Sequence, residues 1–227
     1  MEAKKIPEVI LNSGKKMPAI GLGTGSFPLP PHETLISILI DAFEVGYRHF
    51  DTATFYGSEE PLGKAVDKAF ELGLVKSRDE VFITSKLLPS DAHPDLVLPA
   101  LKTSLQKLGL EYVDLYLIHW PLRLKPEATG PADMLKENVM PSFDMKGIWE
   151  AMEECCRLGL GKVIGVSNFV YESPILKEIA FARQKTSLRK SMTCMVIQIA
   201  LRWIYEEGVS PIVRSFNKEE MKETLNI

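Results

Sequence analysis

The sequence predicts an α/β protein whose parallel strands close into a barrel of repeated β–α units. Three observations carry that expectation. Short apolar runs alternate with amphipathic helical patterns along most of the chain. Most runs recur after about 30 residues, the length of a β–α unit that returns the chain to a parallel neighbour. Four successive runs end on polar residues: Asp51, Lys86, His119 and the pair Ser167-Asn168. A barrel gathers its functional side chains at such C-terminal strand ends. A doubly wound sheet is the alternative, and it usually opens with a glycine-rich turn into a helix. Gly21-Leu22-Gly23-Thr24-Gly25 lacks the third glycine spacing and runs into Ser-Phe-Pro-Leu-Pro-Pro.

Each element has a local reason. Residues 6–20 suggest a lead-in hairpin turning at Ser13-Gly14, and Ala19 to Gly23 a first barrel strand. Leu35, Ile38, Leu39, Ala42 and Phe43 follow helical spacing and stop at Gly46. Tyr47 to Asp51 is strand-like. Ser58 suits an N-cap with Pro61 just inside the helix, whose apolar stripe is Leu62, Ala65, Val66, Ala69 and Phe70. Val81 to Ser85 is a strand. Asp95 to Lys107 is a helix with Leu98, Leu101, Leu105 and Leu108 inward. Val113 to His119 is the next strand, and a long loop from Pro121 to Pro141 leads to a helix carrying Ile148, Met152 and Cys156. Lys162 to Ser167 forms a fifth strand.

The bulk numbers exclude several classes. The 227 residues are 45% hydrophobic and 25% charged, ordinary for a globular protein and enough for one large domain or two small ones. A net charge of −3 gives no general attraction to nucleic acid or anionic membrane. The first ten residues, MEAKKIPEVI, hold four charges and no apolar core of a secretory signal. No apolar stretch approaches the ~20 residues that cross a bilayer. The three cysteines, with Cys155 and Cys156 adjacent, have poor spacing for disulfides or metals. The expectation is reduced thiols in a cytoplasmic protein. His32, His49 and His93 show no metal-ligand pairing with nearby Cys or Asp.

Asp51, Tyr56, Lys86 and His119 form a constellation with a defined chemistry. A phenol is a poor proton donor near neutral pH, and a neighbouring ammonium stabilises its phenolate. A carboxylate paired with the same lysine keeps it charged and fixed. A histidine beside the phenol can orient a carbonyl oxygen. Together they would polarise a carbonyl and protonate its oxygen as alkoxide develops. None of these side chains can supply hydride, which implies a reduced nicotinamide. Taken singly, each residue has a plainer reading as loop cap, packing, solvated strand end or core histidine.

The segments MPAIGLGT, GYRHFDTATFYGSEEPLG, RDEVFITSKL, LGLEYVDLYLIHWP, FDMKGIWEAMEEC, GKVIGVSNF, ALRWIYEEG and IVRSFN resemble the aldo-keto reductases. The likeness is strongest to their plant branch, which holds chalcone, codeinone and methylecgonone reductases and deoxymugineate synthase. It spans most of residues 6–217. The resemblance implies a (β/α)8 barrel that reduces aldehydes or ketones with NADPH, as a cytoplasmic monomer without a metal. It implies a catalytic tetrad of Asp51, Tyr56, Lys86 and His119. It also implies Gly23, Thr24 and Asp51 beside the nicotinamide half, Ser167 and Asn168 on its carboxamide, and Arg214, Ser215, Phe216 and Asn217 at the adenosine 2′-phosphate.

Departures from that pattern are equally specific. Phe169 is followed directly by VYESPILKEIA, so strands one to five and eight of the family are present and units six and seven missing, about 60 residues at ~30 per unit. SLRKSMTCM interrupts the approach to VIQIALRWIYEEG, and the sequence stops at Ile227, without the family's pocket-lining tail. Glu220 and Thr224 stand where the family carries an Arg and an Asn at the phosphate and adenine, and Leu88 where it often carries a pocket Trp. The expectation is therefore one barrel domain over residues 1–227, internally deleted after about residue 169. Losing two strands leaves sheet edges, and exposed core favours aggregation or oligomerisation. An inactive truncated isoform, or a gene-model fragment with at most a cofactor- or protein-binding role, is the alternative function. A nicotinamide-sensing auxiliary subunit is a third.

Overall fold

A computed structural model describes residues 6–128, 136–169, 206 and 210–225. The stretches VYESPILKEIA and SLRKSMTCM, and the helical pattern after them apart from Glu206, lie outside the described residues. The chain divides into two compact units, one made of residues 1–51, 64–82 and 182–227, the other of residues 52–63 and 83–181.

In the first unit the lead-in is the expected hairpin. Strands β1 (Glu8–Ile10) and β2 (Lys16–Pro18) pair antiparallel, and Gly14 turns the chain with φ of 78°. β3 (Gly21–Gly23) follows, then α1 (His32–Val45), which buries Leu35, Leu39, Ala42 and Phe43. Gly46 ends α1 in the left-handed region, and its N–H reaches the carbonyls of Ala42 and Phe43. β4 (His49–Asp51) pairs in parallel with β3, placing Asp51 opposite Gly23. On its other side β3 pairs in parallel with β8 (Ile212–Val213). A Cβ on Gly21 would lie 2.5 Å from the Ile212 side chain, so glycine lets these strands close. α5 (Lys218–Thr224) is capped by Asn217, whose side chain accepts from the N–H groups of Glu219 and Glu220. Its Lys218 ammonium is taken by Asp41 and Glu44 of α1.

The second unit holds three parallel strands in the order β7, β6, β5: β5 (Phe82–Leu87), β6 (Val113–Ile118) and β7 (Gly161–Val166). Lys86 stands opposite Leu117, and Ile118 opposite Val166. β5 is buried throughout, as a parallel strand covered on both faces must be. A 3-10 turn, Thr54–Tyr56, precedes α2 (Glu59–Glu71). Ser58 shares a hydrogen bond with Thr52 Oγ1 at 2.8 Å. α3 (Val97–Leu108) buries Val97, Leu101 and Leu105 and ends at Gly109. α4 (Met145–Arg157) is capped by Asp144, which accepts from the Gly147 N–H at 3.0 Å. Its inward stripe is Met145, Ile148, Met152 and Cys155. Cys156, carried by the same helix, is half-buried beside it.

Candidate active site

Tyr56, Lys86 and His119 meet in the second unit, each delivered differently. The 3-10 turn carries Tyr56 to its last position before Gly57, which adopts φ of 70°. Lys86 lies on β5, and His119 follows the last residue of β6. The His119 N–H reaches the Leu87 carbonyl at 3.4 Å, which ties the two strand ends together.

The buried Lys86 ammonium donates to the Thr52 carbonyl at 2.9 Å and to the Tyr56 hydroxyl at 3.4 Å. It also lies 4.8 Å from the centroid of the Tyr56 ring. On the other side, Tyr56 Oη and His119 Nε2 are 3.4 Å apart, with their rings edge to face. Contacts of this length are common at sites without substrate and tighten when one binds. The phenol therefore touches a cation and an imidazole at once.

His119 is held neutral. Burial, and then the nearby Lys86 charge, push its pKa down to about 3. Its Nδ1 is buried with no partner among the described residues. A buried N–H without a partner is costlier than a bare acceptor, which assigns the proton to Nε2. The imidazole then presents a donor beside the phenol. Trp120 stacks on it at 3.5 Å, and Phe55 meets both rings edge-on.

The other sequence-derived residues divide by unit. Asp51 ends β4 in the first unit, one residue before Thr52. Its backbone carbonyl accepts from Thr24 N–H at 2.9 Å and from Thr24 Oγ1 at 3.1 Å, and the structure brings Gly23, Thr24 and Asp51 together in this way. Ser167 and Asn168 follow β7. Asn168 adopts φ of 61°, where asparagine is among the few tolerant residues. Its Nδ2 donates to the His119 carbonyl at 2.8 Å and to Ser167 Oγ at 3.1 Å. Arg214 follows β8 and donates to the Gly25 carbonyl at 3.1 Å. Ser215 Oγ donates to the Glu220 carboxylate at 2.7 Å, and Phe216 and Asn217 lead into α5.

Sequence reasoning missed three participants. The Thr52 carbonyl is backbone and leaves no trace in residue type. Trp120 follows His119 directly, and strand alternation would send neighbours to opposite faces; the strand has already ended, so the rings can stack. Glu59 passes as an ordinary first-turn acid, although its side chain is buried.

No described helix is long and apolar enough to cross a membrane. The aldo/keto reductase family model matches residues 19–174. Rhazimal reductase 2 of Alstonia scholaris is 44% identical over an alignment of 275 positions, taking in 98% of this chain and 84% of that protein. An NADPH-dependent codeinone reductase of Papaver somniferum is 40% identical, covering 100% of this chain and 86% of its own length. The crystal structure of a Bombyx mori aldo-keto reductase in complex with NADP superposes with a TM-score of 0.79 at 28% identity, over 99% of this chain and 88% of that one. The fold is accordingly of the (β/α)8 barrel type. With Lys86 near the end of one parallel strand and His119 just past the end of the next, both against a phenol, and with these relatives, the chain belongs to the aldo/keto reductase family.

Proposed function

We propose that this chain reduces an aldehyde or ketone to the alcohol, with Tyr56 giving the proton. The observation that carries the reading is the phenol of Tyr56 set 3.4 Å from both the Lys86 ammonium and His119 Nε2. Lys86 favours the phenolate left when the proton departs. The neutral His119, donating from Nε2, orients the substrate oxygen and steadies its developing charge. Asp51, the residue before the Thr52 carbonyl that Lys86 holds, is the fourth tetrad member that the family resemblance assigns. Burial of Lys86 and His119 strengthens each of these interactions.

The residues fit a nicotinamide cofactor by their chemistry, because none of the three gathered side chains can donate hydride. When bound, NADPH supplies that hydride to the carbonyl carbon. Gly23, Thr24 and Asp51 line the nicotinamide half in this reading, and the exposed Asn168 amide with the Ser167 hydroxyl suits its carboxamide. Arg214, Ser215, Phe216 and Asn217 take the phosphate end, where the carboxylate of Glu220 on Ser215 works against a second anion. The NADH-to-NADPH affinity ratio measures that opposition. The substrate is a small carbonyl compound and the location cytoplasmic, with neither nucleic acid nor membrane as partner.

Residues 1–227 form one barrel-type domain in this reading, lacking two β–α units after about residue 169. The alignment with the Alstonia relative supports it: 275 positions against a chain of 227 residues leave positions with no residue here. The same observation favours a second reading, a form without turnover, since strand ends that lose neighbours lose their spacing.

Titrating the purified protein with NADPH by fluorescence, then adding a reactive aldehyde, separates the two. Saturable quenching and aldehyde-dependent NADPH loss are expected. Binding without turnover would support the inactive form, and no binding by folded protein would remove the reductase reading altogether.

A further inference from the structure

The carboxylate of Glu59 opens α2 with its side chain only 2% exposed. Carboxylates are seldom buried unless something holds them, and removing one from water costs several kcal/mol. Here Ser85 Oγ donates to Oε1 at 2.7 Å, and Thr54 Oγ1 donates to the same oxygen at 3.4 Å. The Lys107 ammonium of α3 lies 3.9 Å from Oε2. The Thr54 hydroxyl also shares a hydrogen bond with Ser104 of α3 at 3.1 Å.

The positions of these partners matter more than their number. Ser85 immediately precedes Lys86 on β5, and successive strand side chains point to opposite faces. Glu59 therefore grips the strand from behind at the residue next to the ammonium. Thr54 opens the 3-10 turn that ends at Tyr56. One oxygen of Glu59 thus joins the strand that carries the ammonium to the turn that carries the phenol. The Lys86–Tyr56 contact is already 3.4 Å long, so a small further separation ends it.

We propose that Glu59 is a positioning residue for the Tyr56–Lys86 pair, fixing the distance between phenol and ammonium through Ser85 and Thr54. This rests on the reading of Tyr56 as proton donor. An apolar side chain of similar volume would suit a packing role without the cost of desolvation. It could not hold two hydroxyls from two different elements on one atom.

The test compares wild type with E59A, E59Q and S85A. Glutamine keeps an oxygen that accepts from Ser85 and Thr54, so E59Q keeps kcat within about 3-fold of wild type. E59A lowers kcat by roughly 10- to 100-fold at saturating NADPH and aldehyde, the loss that misplacement by about 1 Å produces. NADPH Kd stays within about 2-fold in each variant, a split that general loosening would not give. S85A removes one donor, leaves the carboxylate with Thr54 and Lys107, and lowers kcat by about 3- to 10-fold. It stands in for E59A if that variant does not fold. A second readout needs no turnover: the ring signal of Tyr56 in protein carrying 13C-labelled tyrosine, assigned by its loss in Tyr56→Phe. It keeps its position in E59Q and moves in E59A and S85A. Wild-type kcat with an unmoved signal in E59A or S85A overturns the proposal, as does E59Q behaving like E59A. If wild type itself shows no turnover, the proton-donor reading falls, and the Tyr56 signal alone decides the positioning role.

Discussion

A neutral imidazole at His119 makes folding stability depend on pH in a particular direction. Burial, then Lys86, lower its pKa from 6.5 to about 3 in the folded protein. Above pH 6.5 the ring is neutral in both folded and unfolded chains and contributes no pH dependence. Below 6.5 the unfolded chain binds a proton that the folded one refuses. Stability therefore falls as pH drops through the window from 6.5 to about 3, by at most about 1.4 kcal/mol per pH unit. The whole window sets a ceiling near 5 kcal/mol, and solvent screening brings the expected loss to about 2 kcal/mol by pH 4.5. The perturbation is His119→Gln, which cannot titrate and keeps an amide donor beside Tyr56. Urea unfolding of both proteins from pH 7.5 to 4.5 is the assay, and carboxylates common to both cancel in the difference. Wild type should lose about 2 kcal/mol relative to H119Q over that range, nearly all of it below pH 6.5. A difference independent of pH, or a His119 NMR signal titrating near 6.5, would show that the ring is not held neutral.

Two further expectations concern packing and thiol chemistry. A Cβ added at Gly63 would lie 2.3 Å from the Leu108 carbonyl oxygen and 2.7 Å from its carbon. Helix propensity alone predicts that G63A gains about 1 kcal/mol, whereas forcing α2 away from that backbone costs about 1–3 kcal/mol. A net loss of up to about 2 kcal/mol in chemical denaturation is expected, and a gain would mean that the helices part freely. Burial first, then Cys156 and Glu154, push the Cys155 thiol up to about 11. At pH 8 it should react with an aromatic disulfide at least ~100-fold more slowly in the folded protein than in urea, by peptide mapping. Rapid labelling of folded protein would contradict its burial.

The parts legible in the sequence are those fixed by local pattern. Gly46 after an apolar stripe marked the end of α1, and Ser13-Gly14 marked the hairpin turn, because glycine alone satisfies such positions cheaply. The polar strand ends Lys86 and His119 were visible as breaks in apolar runs, and the structure brings them to one phenol. Less legible were features that depend on three-dimensional neighbours. That Cys155 is the buried one of the adjacent pair follows from helix phase, which packing across the whole stripe sets. Glu59 looked like any acid in a first turn, since its burial arises from β5 and α3, which lie far away in sequence. The Ser215–Glu220 contact needed α5 to turn back on its own cap.

Tyr56→Phe tests the proposed chemistry most directly, because it deletes one oxygen and leaves the ring against His119. Aldehyde-dependent NADPH oxidation and NADPH affinity would be measured on wild type and variant side by side. Removing a general acid should lower kcat by at least roughly 100-fold, with the cofactor dissociation constant nearly unchanged. Equal turnover in the two proteins would mean that the proton comes from elsewhere and that the phenol between Lys86 and His119 is structural.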